Sequence, residues 1–123
     1  MRILIVDDNT LGAELTAECL MLDFDVHVEV ASDGATALSI GGKFSPEVVL
    51  LDVHLPDVSG LDLAPRIKAM CPTARIVIFS GSAREPADRI LPPGVDDWLA
   101  KPANLEKLGA CIFRTGAKKG LTD

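Results

Sequence analysis

Basic residues are in short supply. The chain sets 12 Lys and Arg against 18 Asp and Glu, for a net charge of -6 and an isoelectric point near 4.8. Phosphate backbones and anionic lipid both need a cationic footprint, so direct binding to nucleic acid or to a membrane surface is excluded. Long apolar runs are also missing. The opening Met1-Arg2-Ile3-Leu4-Ile5-Val6 meets two carboxylates, Asp7 and Asp8, too early to serve as a signal peptide or a membrane span. A cytoplasmic location is expected. Cysteine is scarce: Cys19, Cys71 and Cys111 are far apart, odd in number and without C-x-x-C spacing. That excludes a disulfide framework or a zinc site and predicts buried, reduced thiols. There is no linker, internal repeat or low-complexity tract, and 123 residues suit one domain over 1–123 with one sizeable core. Hydrophobic residues at 48% and charged residues at 24% describe an ordinary globular chain, which sets disorder aside.

Four short apolar runs are present: Ile3-Leu4-Ile5-Val6, Val48-Val49-Leu50-Leu51, Ile76-Val77-Ile78-Phe79 and a weaker one at Trp98-Leu99-Ala100. Continuous runs of strand length suit parallel strands buried on both faces. Val26-His27-Val28-Glu29-Val30 alternates instead, which predicts an edge strand, with His27 in solvent. Between the strands, Leu11, Leu15, Cys19 and Leu22 share one helical face. So do Leu63, Ile67 and Met70, and later Leu105, Leu108 and Ile112, while Ala35 and Leu38 mark a shorter helix. Strand and helix thus alternate five times, the pattern of an α/β doubly wound parallel sheet of five strands in the order 2-1-3-4-5, with the most apolar strands central. The fourth helix is expected to be shortened or irregular. Pro86 can start it and Pro92 must end it, leaving room for at most about two turns.

Chemistry gathers after the central strands. Asp7 and Asp8 follow the first, Asp52 the third, Ser80 ends the fourth and Lys101 follows the fifth. Parallel strand ends share one edge, so these groups converge where strand order reverses. Close carboxylates repel, at about 4 kcal/mol per pair for an effective dielectric of about 20. Lys101 offsets part of this. A hard divalent cation, Mg²⁺ for preference, offsets the rest, with Asp8, Asp52 and a backbone carbonyl as ligands and Asp7 assisting through water. Asp52, placed directly after four apolar residues, could then attack phosphorus to give an acyl phosphate, with Lys101 and the Ser80 hydroxyl holding the transferred oxygens.

Four segments carry a family resemblance: Asp7-Asp8, Leu51-Asp52-Val53-His54-Leu55-Pro56-Asp57-Val58-Ser59-Gly60, Phe79-Ser80-Gly81 and Asp97-Trp98-Leu99-Ala100-Lys101-Pro102. In this order and register they resemble the signature segments of bacterial response-regulator receiver domains, over nearly the whole chain. The resemblance implies a flavodoxin-like fold and Asp52 as phosphoacceptor from a sensor histidine kinase or a histidine phosphotransfer protein. It implies Mg²⁺ at Asp7, Asp8, Asp52 and the backbone carbonyl of His54, and a cis bond at Lys101-Pro102. Trp98 falls at the family's switch-aromatic position. His54 and Ser82 occupy positions that tune phosphoryl lifetime in receivers. Ala103 stands where an aromatic often follows the Lys-Pro pair.

After Pro102 the sequence leaves one helix and a tail, Gly116 to Asp123, with Lys118-Lys119 at its surface. That is too little for a DNA-binding or catalytic effector, so output is expected through an unknown downstream protein, from a monomer or weak dimer. Two other functions fit parts of the pattern. A haloacid-dehalogenase-type phosphatase also uses an aspartyl nucleophile, but normally has a second Asp where His54 stands. A receiver-fold adaptor that works without phosphorylation commonly loses one of Asp52, Ser80 and Lys101, all of which are present.

Overall fold

The computed structural model describes residues 1–113. The Lys118-Lys119 pair and the tail from Gly116 lie outside the described residues. The elements run β1 (Arg2–Val6), α1 (Thr10–Asp23), β2 (His27–Ala31), α2 (Gly34–Phe44), β3 (Val48–Leu51), α3 (Gly60–Met70), β4 (Arg75–Ser80), β5 (Asp97–Ala100) and α4 (Leu105–Ile112). All strand pairs are parallel, in the order β2-β1-β3-β4-β5, with β2 at an edge as its alternation requires.

The apolar strands are continuous because both of their faces are covered. Leu4, Val6, Val49, Leu51, Ile76 and Ile78 point to the side where α2 and α3 supply Ala37, Leu63, Ala64 and Ile67. The alternate residues Ile3, Ile5, Val48, Leu50, Val77 and Phe79 meet Ala13, Ala17 and Leu20 of α1 and Leu108 and Ile112 of α4. Helical turns on both sides thus exclude water from a sheet that could not be solvated on either face.

Two expectations are corrected. In α1 the face turned to the sheet is Ala13, Ala17 and Leu20, whereas Leu11 and Leu22 are 71% and 83% exposed and Leu15 is 55% exposed. Both stripes have helical spacing, and the one with small residues lets the helix axis approach the strands. Cys19 follows the outward stripe and is exposed, while Cys71 and Cys111 are half-buried, so the thiols are not uniformly interior; all three are free.

The second correction concerns residues 81–96, which form turns and no helix, leaving four helices among the described residues. Pro86, Pro92 and Pro93 lack donors, Arg89 adopts a left-handed conformation at φ 64°, and Gly94 lies at φ 81°. A side chain at Gly94 would come within 2.7 Å of the Pro65 backbone nitrogen, so this segment packs directly on α3.

Candidate functional site

The register of the sheet builds the site. Val6 is paired with Leu51, and the Asp52 N–H donates to the Val6 carbonyl at 2.9 Å. Asp7 and Asp52 therefore leave the sheet side by side. Leu51 pairs with Ile78 and Ser80 with Ala100, and the Lys101 N–H donates to the Ser80 carbonyl at 3.0 Å. This brings the hydroxyl and the ammonium to the same edge, with a cis peptide at Lys101-Pro102 as expected.

Carboxylate oxygens of Asp7, Asp8 and Asp52 lie within 4.8 Å of one another. Asp7 is buried, and its Oδ1 accepts the Asn9 N–H at 2.9 Å while its Oδ2 contacts the Lys101 ammonium. Lys101 Nζ lies 3.9 Å from Asp52 Oδ2 and 5.2 Å from the Phe79 ring centroid. Asp8 is exposed. Asp52 is mostly buried and takes the Val53 N–H on Oδ1 at 2.8 Å. Burial pushes its carboxyl above the usual range; Lys101 draws it down, Asp7 pushes it up again, and the Val53 N–H and Ser80 hydroxyl draw it down without reversing the balance. Ser80 is buried, and its Oγ accepts from the Ser82 and Ala83 N–H groups at 3.4 and 3.3 Å. It caps a turn.

Asp7, Asp8, Asp52, Ser80 and Lys101 are thus one group. The other expected residues flank it. The His54 side chain is exposed, and its backbone bridges to Ser59. Ser82 is exposed beyond Ser80. Trp98 is level with Ile78, one pleat below the edge, and packs against the core on the α2 and α3 side of the sheet; its indole nitrogen is buried without a hydrogen-bond partner among the described residues.

Comparison with known proteins decides the family. The model for "Response regulator receiver domain" matches residues 3–113. The chain belongs to the response regulator receiver domain family. Among curated proteins, this receiver is 33% identical over 122 residues to the probable transcriptional regulatory protein TcrX of Mycobacterium tuberculosis, covering 94% of this chain and 51% of that protein. It is 36% identical over 115 residues to TrcR of the same organism, covering 89% and 43%. The receiver thus spans about half the length of these relatives or less. Among solved structures, a Burkholderia pseudomallei response regulator with a phosphorylated aspartic acid, calcium ion and citrate superposes with a TM-score of 0.82 at 32% identity, covering 97% of this chain and 69% of that one. The Thermotoga maritima response regulator TrrA in complex with Mg²⁺ and BeF gives 0.80 at 26% identity, covering 92% and 96%.

The donor set of this receiver is all oxygen, and three carboxylates face one ammonium. An excess of negative charge on hard ligands fits a hard divalent cation such as Mg²⁺. Sequence reasoning missed three residues that shape the site. Asn9 ties Asp7 to α1, since its side chain also accepts the Gly12 N–H at 3.2 Å. Gly60 lies so close under Asp52 that a Cβ would come within 2.0 Å of the Asp52 carbonyl oxygen. Asp57 reaches the start of α2. Asn before a helix is a readable capping signal; Gly60 stands in the same signature segment as Asp52, and the Asp57 contact joins segments that no local pattern connects.

Proposed function

We propose that this receiver is a phosphorylation-dependent switch of a two-component or phosphorelay system, with Asp52 accepting a phosphoryl group from a sensor histidine kinase or histidine phosphotransfer protein. The observation that carries this is the convergence of Asp7, Asp8 and Asp52 with Lys101 at one sheet edge. The related Burkholderia pseudomallei protein with its phosphorylated aspartic acid supports it.

Asp7, Asp8, Asp52 and the backbone carbonyl of His54 would hold Mg²⁺. When bound, the ion supplies positive charge for the phosphoryl oxygens. An Asp52 oxygen forms the new bond to phosphorus while the donor's bond to phosphorus breaks and its electron pair leaves with the donor. An ionised carboxylate needs no general base for this. Lys101 moves its charge from the carboxylates to the transferred group, and the Ser80 hydroxyl donates to one of its oxygens. Water later attacks phosphorus, restoring Asp52 and releasing inorganic phosphate. His54 and Ser82 border the site and set the lifetime, and Trp98 reports the change in Ser80. The protein catalyses only its own modification, in the cytoplasm, as a monomer or weak dimer, and signals through contact with a downstream protein.

Incubation with acetyl phosphate and Mg²⁺, followed by intact mass, tests this. One added phosphoryl mass is expected, absent in Asp52→Ala. No added mass favours a phosphorylation-independent adaptor. Steady hydrolysis of small phosphate esters favours a phosphatase.

A further inference from the structure

Residues 52–59 carry both Asp52 and the His54 carbonyl, so the seat of this segment decides whether those oxygens meet the ones on Asp7 and Asp8. The segment is closed on itself at its far end. The Gly60 N–H donates to the Val53 carbonyl at 2.7 Å, His54 bridges to Ser59, and Gly60 has no room for a side chain beneath Asp52.

Its hold on the neighbouring unit comes from Asp57. Oδ1 accepts the Gly34 N–H at 2.8 Å and Oδ2 the Ala35 N–H at 3.0 Å. A helix begins with four N–H groups that have no partner within it. In α2, the Ala37 N–H opens the helical ladder on the Asp33 carbonyl at 3.0 Å, and the Asp33 side chain satisfies the Thr36 N–H at 2.7 Å. Those of Gly34 and Ala35 are filled by Asp57, from 23 and 22 residues away. The fit is close on both sides, since a Cβ on Gly34 would lie 2.5 Å from Val58 Cγ1. These contacts bind a carboxylate that is itself exposed to solvent, where such bonds add little to overall stability. Their consequence is geometric.

We propose that Asp57 is a positioning residue for the phosphoryl-transfer site: by clamping residues 52–59 onto the start of α2 it sets Asp52 and the His54 carbonyl against Asp7 and Asp8, and so sets the affinity for the divalent cation. The proposal rests on the reading of Asp52 and its neighbours as a Mg²⁺ site. Partners that orient metal ligands from outside the coordination sphere commonly change metal affinity about 10- to 100-fold.

The test is calorimetric titration of the full chain with MgCl2, without phosphodonor, for wild type, Asp57→Ala and Asp57→Asn. Asp57→Ala is expected to bind Mg²⁺ about tenfold more weakly or worse, while its thermal unfolding without Mg²⁺ stays close to wild type. Asp57→Asn, which keeps one of the two acceptor oxygens but turns an NH2 towards the other N–H, is expected to fall between Asp57→Ala and wild type. With acetyl phosphate, Asp57→Ala should need more Mg²⁺ for its half-maximal rate yet reach the wild-type limiting rate. Unchanged Mg²⁺ affinity in Asp57→Ala overturns the proposal. So does weakening in Asp57→Asn as great as in Asp57→Ala, with no partial recovery from its remaining acceptor oxygen. If Asp57→Ala does not fold, Gly34→Ala displaces Val58 from the same seat, and undiminished affinity there overturns it as well. Asp57-dependent Mg²⁺ binding in a wild type that takes no phosphoryl group would leave the clamp standing and remove the phosphoacceptor reading.

Discussion

The Lys101 ammonium contacts Asp7 Oδ2 and stands back from Asp52 Oδ2, at 3.9 Å. The cation thus acts mainly on the more buried carboxylate. Removing it with Lys101→Met leaves Asp7, Asp8 and Asp52 facing one another with no ammonium between them. The variant is expected to lose about 2 kcal/mol of stability at pH 7 without divalent ions, read from urea unfolding, and to regain part of it on addition of Mg²⁺. In the double variant with Asp7→Asn the losses should fall short of their sum, because both act on one contact. Full additivity would show that the contact carries no energy.

Trp98 keeps a buried indole N–H without a partner among the described residues. An unsatisfied buried donor costs about 1–3 kcal/mol. Trp98→Phe deletes that donor while keeping a ring against the core on the α2 and α3 side of the sheet. The lost contact area and the relieved donor oppose each other, so chemical unfolding is expected within about 1 kcal/mol of wild type. A loss of about 3 kcal/mol, as for deletion of a well-packed aromatic, would mean that the N–H is satisfied in solution.

The order of strands and the convergence of five polar residues could be read from the chain because a run such as Val48-Val49-Leu50-Leu51 permits little but a strand covered on both faces. A carboxylate directly after it, at Asp52, has to sit at the sheet edge. The orientation of α1 was not legible in the same way. Its two stripes, one through Leu11, Leu15 and Leu22 and one through Ala13, Ala17 and Leu20, have the same period, and only closeness to the strands chooses between them. The prolines after Ser80 signalled a weak helix, but whether any turn survives depended on Gly94 docking against the Pro65 backbone, a tertiary contact. Asp57 was visible within a signature segment, while its attachment to α2 spans 22 and 23 residues and leaves no local trace.

Asp96 joins α3 to the sheet. Its Oδ2 accepts from Lys68 Nζ at 2.6 Å and from the Ile76 N–H at 2.8 Å. Burial alone would raise its carboxyl, but Lys68, the Ile76 N–H and Arg75 outweigh it and hold the group below the usual range. A depressed folded-state value means that the stabilisation is present above the unfolded value of about 3.9 and is lost as pH falls through the lower folded value. Asp96→Ala should therefore cost about 1–2 kcal/mol at pH 7, allowing for solvent screening. The gap to wild type should narrow below about pH 4. A gap independent of pH from urea unfolding would remove the ionic part of this account.

Neighbouring leucines in α1 should respond in opposite ways. Leu20 is fully buried between the helix and the sheet, and Leu22 is 83% exposed. Leu20→Ala empties volume in a packed layer with Ile3, Ile5 and Leu50 and is expected to cost about 3 kcal/mol. Leu22→Ala removes a side chain that touches mainly water and improves helix propensity, so its effect should stay within about 0.5 kcal/mol. Equilibrium denaturation of the two variants at one pH makes the comparison direct. Equal losses would show that the outward stripe is covered in solution, and that α1 does not turn its Ala13, Ala17 and Leu20 face alone to the sheet.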